Sequence, residues 1–149
     1  MKTLSNLTDT AEIRARLLAI SADDQPQWGI MNVTQMVCHI REAYVFALSA
    51  DPVQHIPLLV PPKVARYVAL GPFAWPRNLP TLVELKVGGA SMVTTTFAED
   101  HARLIEIFDS FCAAPSITKD HPFFTTMSHS EWMHWGYRHA DHHLRQFNR

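Results

Sequence analysis

The stretch from His129 to Arg149, HSEWMHWGYRHADHHLRQFNR, gathers five of the chain's nine histidines and contains no proline. Ser128 with Glu131 three residues later has capping-box spacing, which predicts a helix that starts there and runs to about residue 147. At about 100° per residue, Met133, Tyr137, Ala140, Leu144 and Phe147 fall on one narrow stripe suited to a core between packed helices. Trp132, Gly136, His139 and His143 form a second stripe roughly 100° round the helix. His139 and His143 are one turn apart on that face, the spacing at which two imidazoles can hold one metal ion, and Gln146 lies near it. His142 is a rival partner for His139 at three-residue spacing. It turns roughly 100° away, toward a charged outer side shared with Trp135, whereas Gly136 leaves room for another helix to approach His143.

Taken alone the pair carries little weight, because nine histidines in 149 residues produce about half of one such pair by chance. The zinc-protease pattern HExxH is absent, since Ala140 stands where its Glu would be. A second helix answers the first. Asn32 is a candidate N-cap with Gln35 at the third helical position, and VTQMVCHIREAYVFALSA extends to about Ala50. Val33, Met36, Val37, Ile40, Tyr44 and Ala47 make its core stripe. His39 is offset from their centre by roughly 100°, beside Ala43 and Phe46, nearly the offset found in the last helix.

Two further long helices are expected. Leu7, Thr8 and Asp9 open one over residues 9–21, with Ile13, Leu17, Leu18 and Ile20 inward. Thr96 with Glu99 opens another over 97–113, with Leu104, Ile107, Phe108 and Phe111 inward and Asp100 and His101 as first-turn surface groups. The turn-rich segment SADDQPQWGIMN connects the first two helices and carries Trp28. Between residues 51 and 96, Pro52, Pro57, Pro61, Pro62, Pro72, Pro76 and Pro80 exclude one long helix. A short helix over Lys63 to Leu70 is expected there, then a loop with Phe73, Trp75 and Leu79 that closes over a pocket or meets a partner chain. The alternation in TLVELKVGGASMVTTTF suggests two short strands. PSITKDHPFFTTM forms the crossing to the last helix, anchored by Phe123 and Phe124. The expected architecture is all-α: a four-helix bundle in a single domain over 1–149, with a long Pro-rich crossover between its second and third helices.

Thirteen basic against fourteen acidic residues, with no like-charge block, leave no electrostatic footprint for nucleic acid or an anionic membrane, so a small-molecule site is expected. The charged N-terminal segment reads as neither a secretory signal nor a spanning helix, and a cytoplasmic protein is expected. Cys38 and Cys112, in apolar helical surroundings, read as buried thiols rather than a disulfide. Cys38 points roughly 100° away from its neighbour His39, so a metal shared by the two is not expected.

In a bundle, a one-His helix facing a HxxxH helix supplies three imidazoles and leaves a coordination position open for water or a thiolate. QMVCHIREAY, with the late HADHHLRQ, resembles the DinB-like superfamily of metal-binding four-helix bundles. QWGIMNVTQMVCHI and HPFFTTMSHSEWMHWGYRHADHHLRQF are similar to an uncharacterised, domain-of-unknown-function branch of it. The resemblance implies His39, His139 and His143 as metal ligands, with Gln146 at the position of the family's trailing Gln. A homodimer is expected, because the Pro-rich loop with Trp75 and the exposed end of the last helix suggest an apolar patch and relatives often dimerise; relatives also include metal-dependent thiol S-transferases and isomerases using low-molecular-weight thiols. Leu144 and Arg145 depart from the Arg-Gly that many members carry after the last ligand.

The cofactor expected is therefore a divalent ion, zinc, nickel or iron, imidazole also suiting copper, together with a low-molecular-weight thiol. The function expected is a metal-dependent thiol transferase or hydrolase acting on a small molecule. Glu42, Asp141 and His142 are the candidates for groups that steady the ligands. The alternative is a non-catalytic bundle whose metal is structural, closed by a fourth ligand from Glu42, His55 or His121. A metal-free interaction bundle is the third reading.

Overall fold

Three of the long helices begin at the capping boxes written in the sequence. The side chains of Asn32, Thr96 and Ser128 accept from the backbone N–H groups of Gln35, Glu99 and Glu131, and those three side chains reach back to the cap N–H groups. The computed structural model describes residues 1–77 and 93–149. It is mostly helical: α1 Leu7–Leu18, α2 Val33–Leu48, α3 Pro62–Ala69, α4 Phe97–Ala113 and α5 His129–Gln146, with a ribbon of β1 Asp120–His121 and β2 Thr125–Thr126 before α5. α1 starts two residues earlier than expected. Asn6 caps it by accepting from Thr8 and Asp9, at 2.9 and 3.2 Å, which frees Asp9 to accept from the Thr3 N–H. It also stops at Leu18, which is exposed, where an inward position had been expected.

α2 packs on α4 and on α5, and α1 packs on the same two helices. Ile13 and Leu17 of α1, Met36, Val37, Ile40 and Tyr44 of α2, Leu104, Phe108 and Phe111 of α4, and Trp132 and Leu144 of α5 are fully or almost fully buried in one core cluster. Burial of side chains this large contributes about 1.5–3 kcal/mol apiece before entropy is subtracted. Gly136 lets the helices close. A Cβ there would meet the Phe111 ring at 2.7 Å, and the Gly136 carbonyl accepts from the Tyr44 hydroxyl at 2.9 Å. That bond fixes how α2 lies along α5, and so how His39 meets the last helix.

The α2–α4 seam corrects one expectation. Asp100 is not a surface group but fully buried, bonded to Arg41 of α2 and accepting from the Thr95 N–H at 2.8 Å. His101 is half-buried, its Nε2 2.8 Å from the Leu17 carbonyl oxygen and its ring stacked on Phe97. The Asp100 and His101 side of this helix start is covered by its neighbours, which capping spacing alone could not reveal.

α3 follows Pro61 and Pro62 as expected, but no residue of it is buried, and Val64, Tyr67 and Val68 stand exposed. The crossing to α5 turns back as the β ribbon, with Asp120 opposite Thr126 and His121 opposite Thr125. The Ile56 N–H donates to the Pro122 carbonyl at 2.9 Å and ties the Pro-rich segment to that ribbon. The two strands expected around Gly88 and Gly89, and the Leu79 end of the loop, lie in or run into residues 78–92, outside the described residues. Among the described residues no helix is long and apolar enough to cross a membrane.

Candidate metal centre

His39 from the middle of α2 and His139 and His143 from successive turns of α5 meet at the α2–α5 seam. One ring nitrogen from each lies within 4.8 Å of the others, and all three residues are buried. The Nε2 atoms of His39 and His139 are 3.2 Å apart, and the His143 ring lies 4.6 and 4.8 Å, centroid to centroid, from those of His39 and His139. Two nitrogens bound to one tetrahedral zinc at about 2.05 Å are themselves about 3.3 Å apart, so the spacing seen between His39 and His139 suits a shared ion.

Protonation is settled by burial. His139 is held well below the ordinary histidine pKa by desolvation first, then by His143 and His39 beside it. Burial likewise holds His143 well below that value, with His39 and His142 adding to the effect and the bond to Gln146 opposing it. Both rings are neutral at physiological pH, the form that binds a metal.

Gln146 decides which nitrogen of His143 faces inward. Its amide NH2 donates to the Trp28 carbonyl at 2.7 Å, so its oxygen faces His143 and accepts from Nδ1 at 3.0 Å. Nε2 of His143 then carries the lone pair. The loop before α2 is latched to this end of α5, since the Gln27 N–H donates to the Gln146 carbonyl at 2.7 Å. Gly29, at φ +82°, passes so close that a Cβ would lie 2.5 Å from the Gln146 nitrogen. His139 has no such support: its Nδ1 is buried without a hydrogen-bond partner among the described residues. The donor set and the neutrality of His139 and His143 fit a divalent cation.

The ring of His142 is not in the cluster. It sits half-buried between Trp28 and Trp75, at 6.0 and 5.8 Å between centroids. Trp135 corrects the expectation of a charged outer side. It is buried and stacks on His139 at 4.8 Å and 8°, because the ribbon brings His121 against it, 5.5 Å away. Helical phase gave the right angle, but the element that covers that angle arrives from the crossing.

The other sequence candidates are engaged elsewhere. Glu42 pairs with Arg41 at 2.8 Å, and Asp141 pairs with Arg16 at 2.8 Å and with Arg145. His55 faces Asp120 at 3.5 Å. His121 lies flat on Phe124 at 4.2 Å, its Nδ1 accepting from the Phe123 N–H at 3.2 Å, and burial drives its pKa down to about 3. Among the described residues, then, no fourth His, Cys, Asp or Glu joins the three.

Over residues 3–149 the sequence matches the family described as Protein of unknown function (DUF1569). The chain belongs to this family. The match covers every helix above, so the histidine cluster sits wholly within the DUF1569 region. Neither a curated protein nor a solved structure matches the chain.

Proposed function

We propose that this DUF1569 protein binds a divalent metal ion through His39, His139 and His143, and acts with it on a small molecule. The observation that carries this reading is the convergence of three buried ring nitrogens within 4.8 Å, with one face closed by Trp135 and no fourth protein ligand among the described residues. Three protein ligands with a position left over are the arrangement of catalytic rather than structural zinc sites. The closed ring of contacts, α2 on α4 and α5 and α1 on the same pair, supports reading the four long helices as a DinB-like bundle in one domain.

When bound, the ion supplies Lewis acidity and makes a water or thiol beside it more acidic. The chain does the rest. Gln146 holds His143 in one tautomer, Trp135 keeps water from one side of His139, and Trp28, Trp75 and His142 frame the approach. A transferase of low-molecular-weight thiols, or a hydrolase, are the two reaction types this arrangement serves.

Elemental analysis of protein purified without a His tag, with competitive chelator titration, tests the reading. His39→Ala, His139→Ala and His143→Ala should each weaken binding by at least about tenfold, while His142→Ala keeps the ion with at most about a tenfold loss. Full occupancy in the His143 variant with loss in the His142 variant would sink the assignment.

A further inference from the structure

The approach to the histidine cluster has a chemistry of its own. Arg138, His142 and Arg145 fall four and three residues apart on α5, so they share one stripe, next to the stripe of His139 and His143. Trp75 reaches this stripe from the crossover, its ring 6.2 Å from that of His139 and 5.8 Å from that of His142. Trp28 reaches it from the loop before α2. Each indole carries a guanidinium on its face: Arg138 over Trp75 at 5.7 Å, and Arg77 over Trp28 at 4.6 Å.

A guanidinium held over an indole by cation–π attraction can still offer N–H donors to a carboxylate or similar oxyanion. Arg138 spends one on the Phe73 carbonyl, and among the described residues neither Arg138 nor Arg77 forms an ion pair. Asp141, whose charge is felt by Arg138, is bonded to Arg16 and Arg145. Elsewhere in the molecule, buried or half-buried arginines are matched: Arg41 by Asp100 and Glu42, and Arg16 by Asp141. Among the described residues, positive charge and aromatic faces thus meet beside the histidine cluster with no acid bonded to either guanidinium.

We propose that the rim formed by Trp28, Trp75, Arg77, Arg138 and His142 selects a small organic anion with a flat apolar body, the two guanidiniums holding its oxyanion and the indoles its plane. This names the substrate class for the metal reading above and rests on it. The anionic group is bound at the rim, which leaves the rest of the molecule directed toward the three histidines.

The test compares three probes that share one ring and differ in charge: benzoate, benzamide and benzylammonium. Each is titrated into zinc-loaded protein while the indole N–H resonances of Trp28 and Trp75 are followed, and zinc content is measured in the same samples. Benzoate should bind at least about tenfold more tightly than benzamide, with benzylammonium weakest. Arg77→Met and Arg138→Met keep the aliphatic stem and should bring benzoate and benzamide within about threefold of each other, at unchanged zinc content. Arg77 is exposed, so its variant should fold even if the Arg138 variant does not. Equal affinities for the three probes would overturn the inference. So would a charge order that survives in both variants, since the carboxylate would then be held by the zinc and not by the rim. Protein that takes up no zinc would overturn the metal reading and this inference with it, whereas zinc-loaded protein without charge preference overturns this inference alone.

Discussion

Helix α2 carries polar groups into the interior on two sides, and the two sides solve the problem differently. Toward α4, Arg41 meets Asp100 and Glu42, and the second oxygen of Asp100 takes a backbone N–H, so the charges answer one another within the protein. Toward α5, His39 meets two more histidines, all of one kind and none able to neutralise another. A buried polar set that is complete among its own members holds a fold together, and its parts have nothing left for a ligand. A set that repeats one donor type in a dry seam suits a counterpart from outside, and a cation is one that several imidazoles can share.

The sharpest way to break this contrast is to unbalance the paired side. Asp100→Ala leaves the half-buried Arg41 without its fully buried partner and should cost about 3–5 kcal/mol in denaturant unfolding, with or without metal. Protein that remains folded should still bind zinc, since the pair and the histidines lie on different seams.

The histidine side should respond to the ion instead. At 100 to 1,000 times its dissociation constant, a metal bound only by the folded chain stabilises by about 2.7–4.1 kcal/mol. Chelation should then lower the melting temperature by roughly 5–16 °C in a chain of this length, and a melting temperature indifferent to chelator would mean that the cluster holds nothing.

Acid should act where histidines are buried neutral. The folded pKa of His121 lies at about 3, below its ordinary value, because burial disfavours the cation. Above pH of about 6.5 neither the folded nor the unfolded chain protonates this ring, and its contribution is intact. Between about 6.5 and 3 the unfolded chain gains a proton that the folded chain refuses, so stability falls with acid by up to about 1.4 kcal/mol per pH unit. His139 and His143 shift in the same direction and add to the slope. His121→Phe, measured without metal, should flatten the acid limb by one histidine's share; an unchanged limb would place the effect elsewhere.

The smallest effect expected is also the most selective. Gly29→Ala drives a methyl group into the Gln146 amide and strains a backbone at φ +82°. Loss of the bond that orients His143 should weaken metal binding by about 10–100-fold, while the strained backbone costs about 1–2 kcal/mol of stability without metal. Unaltered affinity would show that Gln146 does not set the tautomer.

How much of this was legible in the sequence differs between local and tertiary features. The three capping boxes and the phases of His39, His139 and His143 were readable because a helix start and a helix face are set by residues within a few positions of each other. Asp100 and Trp135 were misread because their burial depends on α2 and on the β ribbon, which arrive from far along the chain. The same reason hid the Trp28 and Trp75 faces on either side of His142, since nothing local to either tryptophan signals where a proline-rich segment will lay it down. The trailing Gln146 could be noticed by position, but its hold on His143 needed the Trp28 carbonyl, 118 residues away in sequence.

That long reach has a kinetic consequence. His39 and His139 are 100 residues apart, so an ion gripping both would act as a removable cross-link closing a loop of that length. In the chain-entropy treatment of cross-links, a loop of 100 residues is worth about 4.7 kcal/mol against the unfolded ensemble. A contact of such separation closes late, after the helices have formed and found their neighbours. Its weight therefore falls on the escape from the native state and little on the approach to it: the ion would act as a latch on a finished structure, lengthening its lifetime, and not as a nucleus around which the chain gathers.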